Sequence, residues 1–152
     1  MTLTVDQMRA VLLEHVEAEN ANDPARVVAT YSRNDPVFED VPSGARYVGG
    51  ENIVGNYRHL WDGFPRLTRE ITRWTFGEDS AVIELTLRGR HEGRFRGVSP
   101  TNHEMSLRVI AHFQFDAEGR IQQETAYYDS ATVVRALSAA GRRPPVRAPA
   151  EA

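Results

Sequence analysis

The residues best placed for chemistry are an aspartate and two histidines that share faces with apolar side chains. In residues 36–44, PVFEDVPSG, successive side chains of a short strand alternate in direction, so Asp40 points the same way as Phe38. His15 and His91 also fall on apolar faces, of a helix and a strand. A carboxylate can take a proton from a carbon next to a carbonyl, and imidazole donors can stabilise the enolate oxygen that forms. Burial beside Phe38 would raise the pKa of Asp40 toward the working range.

Structural alternatives remain open for each of these residues. Asp40 can instead begin the turn through residues 41–44, where aspartates often bond backbone amides. His15 can be a core histidine satisfied by a neighbour. Glu124 shares a strand face with Ala126 and Tyr128, and its structural alternative is an exposed strand residue.

Composition excludes several classes of protein and of mechanism. With 152 residues and 41% hydrophobic residues the chain fits a single domain with a sizeable core. A formal net charge of -3 argues against a nucleic-acid binder, and no apolar run reaches a membrane span, so we expect a cytoplasmic protein. The chain contains no cysteine, and all 18 basic residues are arginine, which excludes thiolate and Schiff-base lysine mechanisms.

Three helices are predicted in the N-terminal half. A Thr4/Gln7 capping box opens the first helix, at about 5–19, and Asp23-Pro24 opens a short second one. The third begins near residue 51 and stops at Pro65, with an apolar series at Ile53, Val54, Tyr57, Leu60, Trp61 and Phe64. His59 and Asp62 on this helix have a spacing that metal sites use, but two ligands do not make a site, so we expect no metal.

Alternating patterns then predict four long strands, at 67–76, 81–91, 105–115 and 120–128. Sequential long strands favour an antiparallel meander, with the pair 36–41 and 46–48 inserted before it. A last short helix follows Asp129 and ends at Gly141. The fold class is therefore α+β: three N-terminal helices packed on a curved antiparallel sheet that forms a cone. We expect one domain over residues 1–141 and a disordered tail over 142–152.

The connection between the second and third long strands carries three arginines, Arg90, Arg94 and Arg96, among glycines. This pattern superficially resembles an RNA-binding segment. We interpret it as a mobile loop over a pocket mouth, where the arginines can meet an anionic group of a ligand.

The order of these elements resembles the nuclear transport factor 2-like (NTF2-like, cystatin-like) superfamily, especially its ketosteroid isomerase and SnoaL-like polyketide cyclase branches. The motifs that carry the resemblance span residues 13–141 and are NDP at 22–24, FEDV at 38–41, GGENI at 49–53, HEGRFRG at 91–97 and YYD at 127–129. The resemblance implies a pocket inside the cone and no cofactor.

Position by position, the resemblance implies that Asp40 matches the isomerase general base. His15 matches the position of an oxyanion-hole tyrosine, and Ala111 stands where the isomerases carry a second donor, so that donor is missing. No aspartate matches the acid/base position of the cyclases in the third long strand. The resemblance also places the strand face of Glu124 in the pocket, which makes Glu124 a second candidate carboxylate. We assign as catalytic candidates Asp40, His15, His91 and Glu124, and as substrate-binding residues Phe38, Tyr57, Trp61, Ala111, Phe113 and Tyr128.

The leading hypothesis is a cofactor-independent proton-transfer enzyme, of isomerase or cyclase type, acting on a hydrophobic cyclic or polyketide-like carbonyl compound. Hydration or dehydration would use the same groups. The alternative is a non-catalytic ligand-binding or protein-interaction module of the same fold. We expect a homodimer through an outer sheet face that carries Trp74, Phe76 and Ile110; sedimentation of a monomer alone would contradict it.

Overall fold

Helices α1 (Val5–Asn20) and α2 (Pro24–Thr30) begin at the caps that the sequence predicts, in a computed structural model that describes residues 2–138. Thr4 Oγ1 accepts from the Gln7 backbone N–H at 3.1 Å, and the Gln7 side chain accepts from the Thr4 N–H at 2.9 Å, which completes the capping box. The Asp23 carboxylate caps α2 in the same way, by accepting from the backbone N–H of Arg26.

Helix α3 (Gly50–Gly63) stops before Pro65, as predicted, and buries Ile53, Val54, Tyr57 and Trp61. Helix α4 (Ser130–Ala136) is capped by Asp129 but ends earlier than the predicted Gly141. Its last turn tightens into bonds between residues three apart, from the Leu137 N–H to the Val134 carbonyl and from the Ser138 N–H to the Arg135 carbonyl. Gly141, the predicted domain end and the predicted tail lie outside the described residues. None of the helices within residues 2–138 is long and apolar enough to cross a membrane.

The strands form one six-stranded sheet in the order β2-β1-β6-β5-β4-β3. Their bounds are β1 Val37–Asp40, β2 Ala45–Val48, β3 Thr68–Gly77, β4 Ser80–Arg90, β5 Glu104–Phe115 and β6 Ile121–Tyr128. The α+β cone is confirmed, but the sheet is not wholly antiparallel, since β1 runs parallel to β6. The chain leaves α2 beside the start of β6, where the Ser32 N–H donates to the Ile121 carbonyl, so β1 must run in the same direction as β6.

The inner face of the sheet is the one that alternation predicts. Ala81, Ile83, Leu85 and Leu87 of β4 are buried, and so are Leu107, Val109, Ala111, Phe113 and Phe115 of β5. On β1 and β6 the same face carries Phe38 opposite Glu124 and Asp40 opposite Ala126. Both candidate carboxylates therefore face the helices.

The predicted outer-face placement of Trp74 and Phe76 is wrong, because β3 contains a bulge. The register shifts between Ile71 and Arg73, so Trp74 pairs with the inward-facing Ile83. One extra residue reverses the face of every side chain that follows it. Trp74 and Phe76 stack at 5.7 Å under the guanidinium of Arg9 on α1. Of the predicted apolar trio only Ile110 is outward and exposed, and the homodimer stays a prediction.

Candidate functional site

A cavity of about 330 Å³ lies between the inner sheet face and α3. Most of its wall is apolar and is formed by residues such as Phe38, Phe64, Leu85, Phe95, Leu107 and Val109. Such a volume and lining are typical of small-molecule sites, at the small end of their range. Seven of the polar lining residues form two groups, which we call the inner end (Glu19, Tyr57, Arg69 and Glu124, with His15 and Tyr31 behind them) and the mouth (Asp40, Tyr128 and Arg96). The remaining polar lining residues are Ser43, Tyr47, Asn56 and His59.

Six of the ten predicted site residues line this cavity: Phe38, Asp40, Tyr57, Ala111, Glu124 and Tyr128. The other four are His15, His91, Trp61 and Phe113, and they lie outside the lining. Phe113 is fully buried against the ring of His15, and Trp61 packs on Tyr57 with ring centroids 5.8 Å apart. Both therefore support lining or neighbouring residues from behind the wall.

Glu124 on β6 is the centre of the inner end and is only 5% exposed, so it is not the exposed strand residue of the alternative interpretation. Its Oε2 accepts from the hydroxyls of Tyr31 and Tyr57, the latter at 3.2 Å. Burial raises the pKa of both tyrosines well above the ordinary value, and the negative charge of Glu124 adds to the effect. The two phenols therefore stay neutral and act as donors.

His15 on α1 holds a proton on both ring nitrogens. Thr30 Oγ1 donates to the Val27 carbonyl at 2.7 Å, so it must accept from His15 Nδ1, 2.8 Å away. Nε2 lies 2.9 Å from a Glu19 oxygen and 3.4 Å from Glu124. Burial by itself lowers the pKa of His15, but the two carboxylates outweigh it and raise that pKa to about 10. His15 is thus a buried imidazolium that faces protein acceptors.

Glu19 and Arg69 form a buried ion pair beside His15. Arg69 Nε lies 2.7 Å from Glu19 Oε2, and both side chains are almost fully buried. Burial raises the pKa of Glu19, but the charges of Arg69 and His15 outweigh burial and lower it, so Glu19 is ionised. Asn20, at the end of α1, clamps the backbone of Arg69 by donating to its carbonyl at 3.0 Å and accepting from its N–H at 2.8 Å.

The mouth contains a carboxylate held by a phenol. Both oxygens of Asp40 accept from the hydroxyl of Tyr128, at 2.9 and 2.8 Å, and the two residues are half-buried. Burial and the charge of Asp40 raise the pKa of Tyr128 to about 12, so its hydroxyl keeps its proton at neutral pH. The turn alternative for Asp40 is also present, as a weak 3.4 Å contact from the Ser43 N–H.

The arginine-containing loop contributes Phe95 and Arg96 to the cavity lining, whereas Arg90 donates to the Asn102 carbonyl and to Glu104. The start of the loop is packed tightly on the end of α3: the N–H groups of Glu92 and Gly93 both donate to the Gly63 carbonyl. A Cβ at position 93 would lie 1.8 Å from the Asp62 carbonyl oxygen, so only glycine fits there.

His91 lies at the start of this loop and does not line the cavity. Its Nδ1 accepts from the Thr101 N–H at 3.1 Å, so its proton is on Nε2, and its ring stacks on Phe64. Nothing within residues 2–138 accepts a hydrogen bond from Nε2. Within the same residues no group of three or more histidine or acidic side chains is arranged to hold a metal ion.

Sequence reasoning missed Glu19 and Arg69, although both carry a detectable signal. Glu19 follows His15 by four residues and extends the same apolar stripe of α1. Arg69 sits between Leu67 and Ile71 in an alternating strand, on the face that those residues turn inward. A charged residue at an apolar-face position indicates a buried partner.

Comparison with known proteins places this geometry in a family. The family model for SnoaL-like polyketide cyclase matches residues 9–137. Among solved structures, AclR, a candidate hydroxylase from Streptomyces galilaeus, is 22% identical with a TM-score of 0.75, over 86% of this chain and 95% of that one. A candidate SnoaL-like polyketide cyclase from Jannaschia sp. CCS1 is 20% identical with a TM-score of 0.77, over 91% and 94%.

A third similar structure is a protein with a ketosteroid isomerase-like fold from Catenulispora acidiphila, solved in complex with trimethylamine. It is 17% identical with a TM-score of 0.70, over 84% of this chain and 91% of that one. At these identities the structures support the fold alone. No curated protein sequence matches the chain. Since the family model covers most of the chain, including the elements that line the cavity, the protein belongs to the SnoaL-like polyketide cyclase family.

Proposed function

We propose that this protein is a cofactor-independent proton-transfer enzyme, of isomerase or cyclase type, that acts on a hydrophobic cyclic or polyketide-like carbonyl compound. The observation that carries the proposal is the Asp40 carboxylate, which lines an apolar cavity and is oriented by the Tyr128 hydroxyl. The apolar wall fits a hydrocarbon framework, and the half-buried carboxylate can reach a carbon–hydrogen bond of a ligand at the mouth.

In the proposed step, Asp40 accepts a proton from the carbon next to the substrate carbonyl. The electron pair of the broken C–H bond moves onto the carbonyl oxygen and gives an enolate. Asp40, now a carboxylic acid, returns the proton to another carbon in an isomerisation. In a cyclisation the enolate carbon attacks a second carbonyl of the substrate, and the alkoxide that forms on that carbonyl's oxygen takes the proton from Asp40. Tyr128 holds the carboxylate and can shift its hydrogen bond to the substrate as Asp40 becomes neutral.

His15 has a different role from the one expected of it. Both of its ring nitrogens face protein oxygens, and the side chain does not line the cavity. Stabilisation of the enolate oxygen therefore belongs to groups at the mouth, among which the Tyr128 hydroxyl and the Arg96 guanidinium are donors.

The second candidate is a non-catalytic ligand-binding module. It is favoured by Ala111, which lines the cavity without offering a donor, and by the enclosed hydrogen bonding of His15. Such a module would bind the same class of compound without exchanging its protons.

The test is hydrogen–deuterium exchange at the carbon next to the carbonyl of bicyclic and tricyclic ketones, followed by NMR in D₂O. We expect catalysed exchange by the wild type and a loss of about 100-fold or more in Asp40→Asn. Glu39→Gln is the matched control, because Glu39 is the adjacent carboxylate of β1 on the opposite sheet face. Equal exchange rates in Asp40→Asn and the wild type would refute the proposal, and ligand binding without exchange would establish the binding module.

A further inference from the structure

Arg69 has a donor that the protein leaves unused. The residue is 6% exposed and lines the cavity, and its Nη1 has no hydrogen-bond partner among residues 2–138. Buried polar groups are nearly always hydrogen-bonded, since an unsatisfied one costs free energy. Because Arg69 lines the cavity, this unsatisfied guanidinium nitrogen, which is itself buried, is a candidate contact for a ligand.

Arg69 is fixed in this orientation from two sides. Glu19 Oε2 engages Nε at 2.7 Å, and Asn20 clamps the Arg69 backbone through both its N–H and its carbonyl. Turning the side chain toward another partner would leave the buried Glu19 carboxylate without its cation. The donor is thus held ready before a ligand arrives, which reduces the entropic cost of binding.

Arg69 and Asp40 lie toward opposite edges of the sheet. Arg69 is on β3 and Asp40 is on β1, and strands β6, β5 and β4 run between them, which makes four strand spacings of about 4.8 Å each. A substrate whose reacting carbon lies at Asp40 therefore presents its opposite end to the inner group of side chains.

The charges of the inner end select for a neutral group. Two acidic side chains, Glu19 and Glu124, accompany two basic ones, His15 and Arg69. A ligand carboxylate would add a third negative charge to a buried group in which two acidic side chains already balance two basic ones. Burying that additional charge would carry a desolvation cost. A neutral oxygen accepts the free N–H without that cost.

We propose that Arg69 Nη1 binds a neutral oxygen, carbonyl or hydroxyl, on the end of the substrate remote from Asp40. This inference rests on the proposed function for the placement of the reacting carbon. It narrows the substrate class to compounds oxygenated at both ends, and it makes Arg69 a specificity-determining residue, with Glu19 and Asn20 as its positioning residues.

The test compares three probes of one framework by calorimetric titration: 6-hydroxy-1-tetralone, 6-methyl-1-tetralone and 1-tetralone-6-carboxylate. We expect the hydroxyl compound to bind the wild type roughly 10-fold or more tightly than the methyl compound, because the bond is to a charged donor. The preference should disappear in the double variant Glu19→Gln with Arg69→Met, which removes both members of the ion pair. Arg73→Met is the control, since Arg73 lies on the same strand with a side chain that is 75% exposed.

A second measurement on the wild type avoids any folding defect of the variant. The guanidinium NMR signals of Arg69 should shift with the hydroxyl compound and not with the methyl compound. The inference is overturned if the wild type binds the hydroxyl and methyl compounds equally tightly, or if it binds neither of them. It is also overturned if the double variant still prefers the hydroxyl compound. Tighter binding of the carboxylate would overturn the neutral-oxygen assignment.

These outcomes are separate from those of the exchange assay. Asp40→Asn should keep the preference for the hydroxyl compound while it loses proton exchange. Exchange without the preference would remove only the role of Arg69, and the preference without exchange would remove only the catalytic proposal.

Discussion

The two polar ends of the cavity both contain carboxylates and hydrogen-bond donors, but they differ in how deeply these side chains are buried. At the inner end His15, Glu19, Arg69 and Glu124 are each at most 6% exposed and contact one another, whereas Asp40 and Tyr128 at the mouth are half-buried and form a pair of their own. Buried charges that depend on each other are costly to disturb, while a partly exposed carboxylate stays within reach of a ligand and of water. The difference indicates that the inner end supports structure and recognition, and that the mouth is suited to proton transfer.

Removal of one charged side chain from the inner end should produce the largest loss of folding stability. Glu19→Gln leaves the cations of Arg69 and His15 buried without their shared partner, and we expect it to lower the free energy of unfolding by about 3–5 kcal/mol. Urea denaturation measures the change. Glu17→Gln on the exposed side of α1 should have little effect, and adding Arg69→Met to Glu19→Gln should restore part of the loss. A Glu19→Gln variant as stable as the wild type would show that the inner end is not a coupled network.

The pH dependence of stability should also come from the inner end. The folded-state pKa of His15, about 10, is raised above the ordinary 6.5, so its contribution is complete below pH 6.5 and is lost as pH rises toward 10. Each pH unit in this window removes up to about 1.4 kcal/mol, and we expect a loss of about 3 kcal/mol between roughly pH 6.5 and pH 9. Urea denaturation across this range should show the loss in His59→Gln but not in His15→Gln. A flat wild-type profile would contradict a charged His15.

A change at the mouth should cost the least stability. Tyr128→Phe removes the donor to both Asp40 oxygens, but Asp40 is half-exposed and can bind water instead. We therefore expect a stability change of about 1 kcal/mol or less. The same variant should slow ketone proton exchange about 10-fold or more, because Asp40 loses the group that orients it. A large stability loss with unchanged exchange would reverse the roles assigned to the two ends.

The sequence was informative about helices, strands and faces because these depend on local periodicity. The capping box at Thr4, the apolar stripe that includes His15 and the alternation of β4 and β5 all appear in the structure. Alternation also showed that Asp40 shares a face with Phe38 and that Glu124 shares one with Ala126, while the family resemblance placed the face of Glu124 in the pocket.

What could not be predicted depends on long-range pairing. The parallel pairing of β1 with β6 follows from where α2 delivers the chain, and the bulge that turns Trp74 inward has no local marker in residues 71–73. The ion pair of Glu19 with Arg69 joins residues 50 positions apart, so periodicity could show that each is inward but not that they meet. The cavity's division into two ends arises from that pairing.

The clamp by Asn20 has a consequence for association between chains. Strand β3 is an edge of the open sheet, and at Arg69 its free N–H and carbonyl are both occupied by the Asn20 amide. An incoming strand from another molecule would need these groups to extend the sheet. The side chain that fixes Arg69 therefore also blocks strand addition at this position of the edge.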